Sequence, residues 1–157
     1  VRRTPSWQPY GPASGPLTLA VVALGMGATQ SYRGLAVTIT NLRLVATSNF
    51  VAAPPGMIFA CVTVTLANTD PVQAVPYNAA DIVLVDARGA LHHQSFAALA
   101  APLGVGMVAP NAQVQGDLAF VVAYPPTLYA NDPQIRYAPS GADMALAWDV
   151  PLAPTLP

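Results

Sequence analysis

The sequence contains no lysine and no glutamate; its six basic residues are all Arg and its seven acidic residues are all Asp. Lys and Glu are strong helix formers that populate exposed helix faces. A chain without them, and rich in Val, Thr and Pro, leans toward strand. Charged residues make up only 8% of the chain, where about a quarter is usual. The net charge is −1, with no basic run beyond Arg2 and Arg3. That excludes a surface that tracks phosphates, so no nucleic-acid partner is expected. Few charges also leave a weakly hydrated surface, suited to burial against other subunits or an apolar boundary. A genomic bias toward Ala, Gly, Pro and Arg gives the same composition, and the two accounts are compatible.

Cysteine is nearly absent. Cys61 stands alone, which excludes an internal disulfide and a thiolate-based zinc site. A buried, inert thiol is expected there. Long apolar runs are also missing: the longest, residues 17–28, has 12 residues, short of the roughly 20 a membrane helix needs. Behind Arg2 and Arg3 it has the outline of a secretory signal. The expectation is an N-terminal strand or docking segment, with membrane proximity through 17–28 as the alternative.

Proline, by contrast, is abundant, with 17 in the chain. Pro5, Pro9, Pro12 and Pro16 mark an extended N-terminal arm over 1–16, and Pro151, Pro154 and Pro157 a C-terminal tail over 151–157. The rest punctuate turns within a domain over 17–150. Proline cannot donate to a ladder, so none is expected inside a strand.

The gaps between prolines alternate apolar and polar residues with period two. Leu35, Val37 and Ile39 share one face; after Asn41 the parity slips to Leu42 and Leu44 around Arg43, which reads as a β-bulge or a strand passing between sheets. Ile58, Ala60, Val62, Val64 and Leu66 form the clearest strand face, opposite Phe59, Cys61, Thr63 and Thr65. Further strands are expected at 82–85, 91–96, 114–122 and 135–137, and at Met144 through Val150. Residues 95–101 are the nearest helical candidate, at most two turns. Seven to nine short strands between turn signals predict an all-β, immunoglobulin-like antiparallel sandwich with extended Pro-rich termini.

Four segments carry a family resemblance: Leu35 to Asn41, Pro55 to Thr69, Asp81 to Gly89, and Val108 to Phe120. In order and spacing they resemble a bacterial family of unknown function with an immunoglobulin-like fold. Its members are secreted proteins and lipoproteins, similar in fold to a small secreted mycobacterial antigen. The resemblance spans about 34–150, implies an extracytoplasmic location and supplies no reaction. Where the family often has Pro-Gly, this chain has Pro110-Asn111; Asn also tolerates a left-handed turn.

No catalytic, cofactor or metal site emerges. His92 and His93 are adjacent, so on a strand their rings face opposite ways and do not chelate one metal. Ser95 follows His93 on the same face, but no nucleophile-elbow sequence surrounds it. Asp81 and Asp86 with the Gly89 turn offer at best a loose Ca²⁺ site, off the spacing of an EF-hand. Met26, Met57, Met107 and Met144 are scattered core fillers without a copper motif.

The aromatics are more informative. Trp7 and Tyr10 lie in the Pro-rich arm, and Tyr124 and Tyr129 flank Pro125 and Pro126. Aromatics in extended segments are typical interface anchors, so these four are the expected partner-binding residues. The expected function is a non-catalytic, extracytoplasmic structural or interaction module. It would belong to a surface assembly, filament or membrane-associated complex, with a second copy or another subunit as protein partner. The alternative is a monomeric secreted ligand-binding domain with a pocket lined by Tyr77, Phe96 or Tyr129.

Overall fold

The computed structural model describes residues 24–86, 89–92, 94–123, 133–139 and 146–151. In chain order the strands are β1 (Leu24–Gly25), β2 (Thr29–Tyr32), β3 (Leu35–Val45), β4 (Thr47–Ser48), β5 (Val51–Ala52), β6 (Met57–Asn68) and β7 (Val75–Asn78). They continue with β8 (Ile82–Val85), β9 (Leu91–His92), β10 (Val105–Val108), β11 (Gln113–Ala123), β12 (Gln134–Tyr137) and β13 (Leu146–Asp149). Two single 3₁₀ turns, η1 (Ala79–Asp81) and η2 (Phe96–Ala98), complete the described elements. Residues 95–101 therefore make one turn of 3₁₀ helix, and the strand expected over 91–96 shortens to β9.

A four-stranded sheet, β11-β6-β3-β2, packs on a five-stranded sheet, β1-β13-β12-β8-β9. Two ribbons, β7-β10 and β4-β5, flank them. The ladders are antiparallel except β1 against β13, which is parallel. The fold is the all-β sandwich that the alternation predicts. Its core draws on the inner faces of both sheets: Val37, Ile39, Val62, Val64, Leu118 and Phe120 from one, Ile82, Leu84, Ile135 and Trp148 from the other.

The parity slip in β3 is a bulge. Thr40 pairs with Thr63 but Arg43 with Cys61, so β3 carries one extra residue, and Asn41 takes the left-handed conformation at φ 63°. The bulge moves Arg43 to the outer face, where its guanidinium lies 3.6 Å from the Asp117 carboxylate. Asp117 also accepts a hydrogen bond from the Thr63 hydroxyl at 2.9 Å. Leu42 packs against the core, while Leu44 at the end of the inner row is partly exposed. Asn111 sits at φ 56°, the conformation expected of it in place of Gly.

One expectation about proline fails. Pro76 lies inside β7, opposite Met107 of β10. The ribbon has only two strands, so β7 has an edge on which a missing N–H costs no ladder bond.

The outer face of the four-stranded sheet is not uniformly wet. Phe59, Cys61 and Ala119 form a second small core there with Ala98 and Leu99, and Val45, Val51 and Ala53 pack against it. Both faces of β6 are thus buried over Ile58–Val62. The free edge of β11 is covered as well: Ser95 N–H donates to Ala119 O, Asp117 N–H to Ala101 O, and Leu103 N–H to Asp117 O. An edge covered this way is unavailable for pairing with another chain.

Candidate binding surfaces

The four aromatics expected to contact a partner, Trp7, Tyr10, Tyr124 and Tyr129, lie outside the described residues, as do the arm, residues 17–23 and His93. Among the described residues no group of three or more His, Cys, Asp or Glu converges. Asp81 and Asp86 sit at opposite ends of β8, which at about 3.3 Å per residue holds them roughly 16 Å apart. One cation cannot bridge that span, and the Ca²⁺ reading falls. Asp86 instead shapes the turn after β8: its carboxylate accepts from Ala90 N–H at 3.0 Å and lies 3.5 Å from His92 Nε2. Ser95 precedes η2 and makes no capping bond with its side chain. Cys61 is buried, and that burial pushes its thiol pKa up, against the opposing pull of Arg43.

Two surface features stand out. The first is a cavity of about 590 Å³ between the β7-β10 ribbon, η1 and β12, lined by Tyr77, Asp81, Met107, Tyr137 and Pro139 among others. Its geometry is built from the backbone outward. Asn78 caps η1 by accepting from Ala80 N–H at 2.9 Å. Gln94 donates from Nε2 to Ala79 O and Ile82 O, clamping η1 to the start of β8. Asp81 O accepts from Ala138 N–H at 2.8 Å. The backbone that carries Asp81 is thus fixed in place. Tyr77 lies across Gly106, its direct partner in the ladder. A Cβ at Gly106 would come within 2.9 Å of the Tyr77 hydroxyl. Tyr137 meets Tyr32 edge-on at 6.2 Å, and the Arg33 guanidinium covers Tyr32 at 5.1 Å.

Burial raises the pKa of Asp81. The Tyr137 pKa is raised too, first by burial and then by Asp81 and Tyr32. Because the folded pKa of Asp81 lies above its unfolded one, folding loses stability as pH rises through that interval and regains none above it. Asp81→Asn is therefore expected to be at least as stable as the wild type in urea unfolding at pH 7. The two should converge below the carboxylate range. A clear loss of stability at pH 7 would mean that the fold itself needs the charge.

A smaller cavity of about 340 Å³ is lined by Leu91, His92, Gln94 and Phe96 with neighbouring residues. Tyr77 and Phe96, each named as a candidate lining residue, line separate cavities.

The second feature was not legible as a site in the sequence. Ser48 pairs with Val51, so Asn49 and Phe50 form a two-residue hairpin loop between β4 and β5. Both have positive φ, 49° and 65°, as a type I′ turn requires. The β2-β3 hairpin has the same two-residue form, with Gly34 in the second position. Phe50 occupies that glycine position and is 101% exposed. The turn is strapped to η2: Ser48 Oγ donates to Ala98 O at 2.6 Å, and Asn49 Nδ2 to Ala97 O and Leu99 O at 3.1 and 3.2 Å. A strained backbone thus presents a large apolar ring on a fixed support.

The model of the domain of unknown function DUF4352 matches residues 24–126. The chain belongs to this family. No curated protein matches it. Among solved structures, this DUF4352 chain is similar to the secreted protein MPT63 from Mycobacterium tuberculosis. The two share 13% identity at a TM-score of 0.61, over 85% of this chain and 100% of that one. A putative lipoprotein from Bacillus subtilis, ycdA, aligns at TM-score 0.60 and 16% identity over 78% of this chain. The DUF4352 chain spans 38% of that protein's length. An uncharacterised β-sandwich protein from Clostridium difficile aligns at TM-score 0.53 and 10% identity, over 86% of this chain and 99% of that one. At these identities the shared property is the fold.

Proposed function

We propose that the protein is a non-catalytic, extracytoplasmic interaction module, a subunit of a surface assembly or membrane-associated complex. The observation that carries this reading is Phe50. A bulky residue at a left-handed position costs on the order of 1–3 kcal/mol, and Gly would avoid that cost. Retaining a fully exposed ring there makes sense if the ring is used. Buried aromatic anchors dominate the energetics of protein interfaces. Ser48 and Asn49 hold the turn to η2 before any partner arrives, which lowers the entropy lost on docking. The 8% charge of the chain and the secreted and lipoprotein relatives in fold support a surface-exposed role.

Phe50→Gly tests the reading. Relief of strain should stabilise the fold by about 1 kcal/mol, while loss of the ring should weaken association. Sedimentation velocity over a concentration series should show the wild type self-associating and the variant shifted toward monomer. If both remain monomeric throughout, assembly through this tip is wrong.

A second reading, a secreted ligand-binding domain, is favoured by the 590 Å³ cavity, whose volume falls in the range of small-molecule sites.

A further inference from the structure

The cavity beside the β7-β10 ribbon has a definite chemical character. Among the described residues Asp81 is the one with a formal charge that lines it, and the rest of the described lining is Tyr, Pro, Met, Val, Gly and Asn. Among the described residues no side-chain hydrogen bond or ion pair engages the Asp81 carboxylate. Arg33 sits over Tyr32, the ring that meets Tyr137 edge-on. Asn78 has already given its carbonyl oxygen to Ala80 N–H. The described lining thus carries one negative charge and no positive one.

We propose that this cavity binds a small organic cation with an apolar body, the carboxylate of Asp81 meeting its charge and the rings of Tyr77 and Tyr137 its alkyl groups. The inference rests on the ligand-binding reading and names the ligand class for that same site. Four further considerations favour it. Aromatic faces carry a negative quadrupole that attracts ammonium groups, best where water is partly excluded. A metal ion is a poor alternative, since Ca²⁺ takes 6–8 oxygen ligands and the described lining offers a single carboxylate. An anion would meet Asp81 with like charge. The burial that raises the Asp81 pKa also costs the fold stability at neutral pH, as expected of a group placed for a ligand rather than for folding.

The test is a pair of isosteric probes that differ in one atom: choline, with a quaternary nitrogen, and 3,3-dimethylbutan-1-ol, with a neutral carbon in its place. Both are titrated into ¹⁵N-labelled protein and followed by amide NMR shifts. Choline is expected to saturate, with the shifts centred on Tyr77, Gly106, Asp81 and Tyr137. The neutral isostere should bind about tenfold more weakly, and Asp81→Asn should bring choline down to its level. Tyr77→Ala should weaken choline binding while Asp81→Asn leaves the isostere unchanged. Equal binding of the two probes at this site would overturn the assignment of a cation yet leave a ligand pocket standing. If neither probe shifts these amides in a folded protein, both the cation and the pocket reading fail.

Discussion

Gly116→Val is expected to unfold the domain or to cost it about 3 kcal/mol or more. Gly116 lies in mid-strand, opposite Val64 of β6. A Cβ there would stand 2.4 Å from Leu103 Cα and 2.7 Å from Leu103 N. Those atoms are backbone and cannot rotate away. They are also held: Leu103 N–H donates to Asp117 O, and Asp117 N–H to Ala101 O. The added carbon must therefore break the cover over the β11 edge or push β11 off β6. Chemical denaturation followed by circular dichroism reads the loss, and solubility at high concentration reads the exposed edge. A variant that unfolds at the wild-type midpoint would show that residues 101–103 do not rest on this strand. Gly34→Ala is a useful contrast: nothing lies within 4 Å of its Cβ, so only the positive φ of 85° opposes it.

Trp148→Ala should cost about 3–5 kcal/mol, the range for removing a buried large aromatic. Trp148 is fully buried and is the largest such side chain among the described residues. Its Nε1–H donates to Ala28 O at 2.9 Å, and its backbone pairs with Leu24 on one side and Ile135 on the other. It therefore ties the turn between β1 and β2, where the chain passes to the four-stranded sheet, to β13 as well as filling the core. Trp148→Phe separates the two roles. It keeps most of the volume but leaves Ala28 O without its donor, so a smaller loss of about 1–2 kcal/mol is expected. If the Phe variant were as unstable as the Ala variant, the hydrogen bond rather than the packing would dominate.

Much of the sandwich was legible because a strand with one wet face must alternate. The row Ile58, Ala60, Val62, Val64 and Leu66 is buried as its period predicts. The slip after Asn41 is a bulge, detectable because one inserted residue moves all later side chains to the other face. The opposite row of β6 was less readable. Phe59 looks like an outward residue in the pattern, yet η2 and the β4-β5 hairpin cover it together with Cys61, whose thiol is buried as expected. The alternation does not signal that cover, since η2 comes from far along the chain and the hairpin must fold back over the strand that follows it. Pro76 misled for a related reason: a proline is barred from a ladder only where its N–H is needed, and the two-stranded ribbon does not need it.

The candidate surfaces were the least readable. Tyr77 was singled out as a pocket residue, but its neighbours were not. Asp81, Met107 and Tyr137 join it from three separate elements, with η1 held to the start of β8 by Gln94. Phe50 gave only a faint signal, the Asn before it, because Phe in the second position of a type I′ turn runs against local preference.

Taken alone, the order of residues determined that this chain would fold as stacked β-sheets with few charges on its surface. Alternation, proline placement and the want of Lys and Glu are properties of neighbours along the chain, and they act before any long-range contact forms. The tertiary structure decided which outward rows would be covered, which aromatic ring would be left bare, and which carboxylate would stand beside two tyrosines without a counter-charge. Those outcomes depend on distances between residues far apart in sequence, which only the packing of one sheet and its loops against another can set.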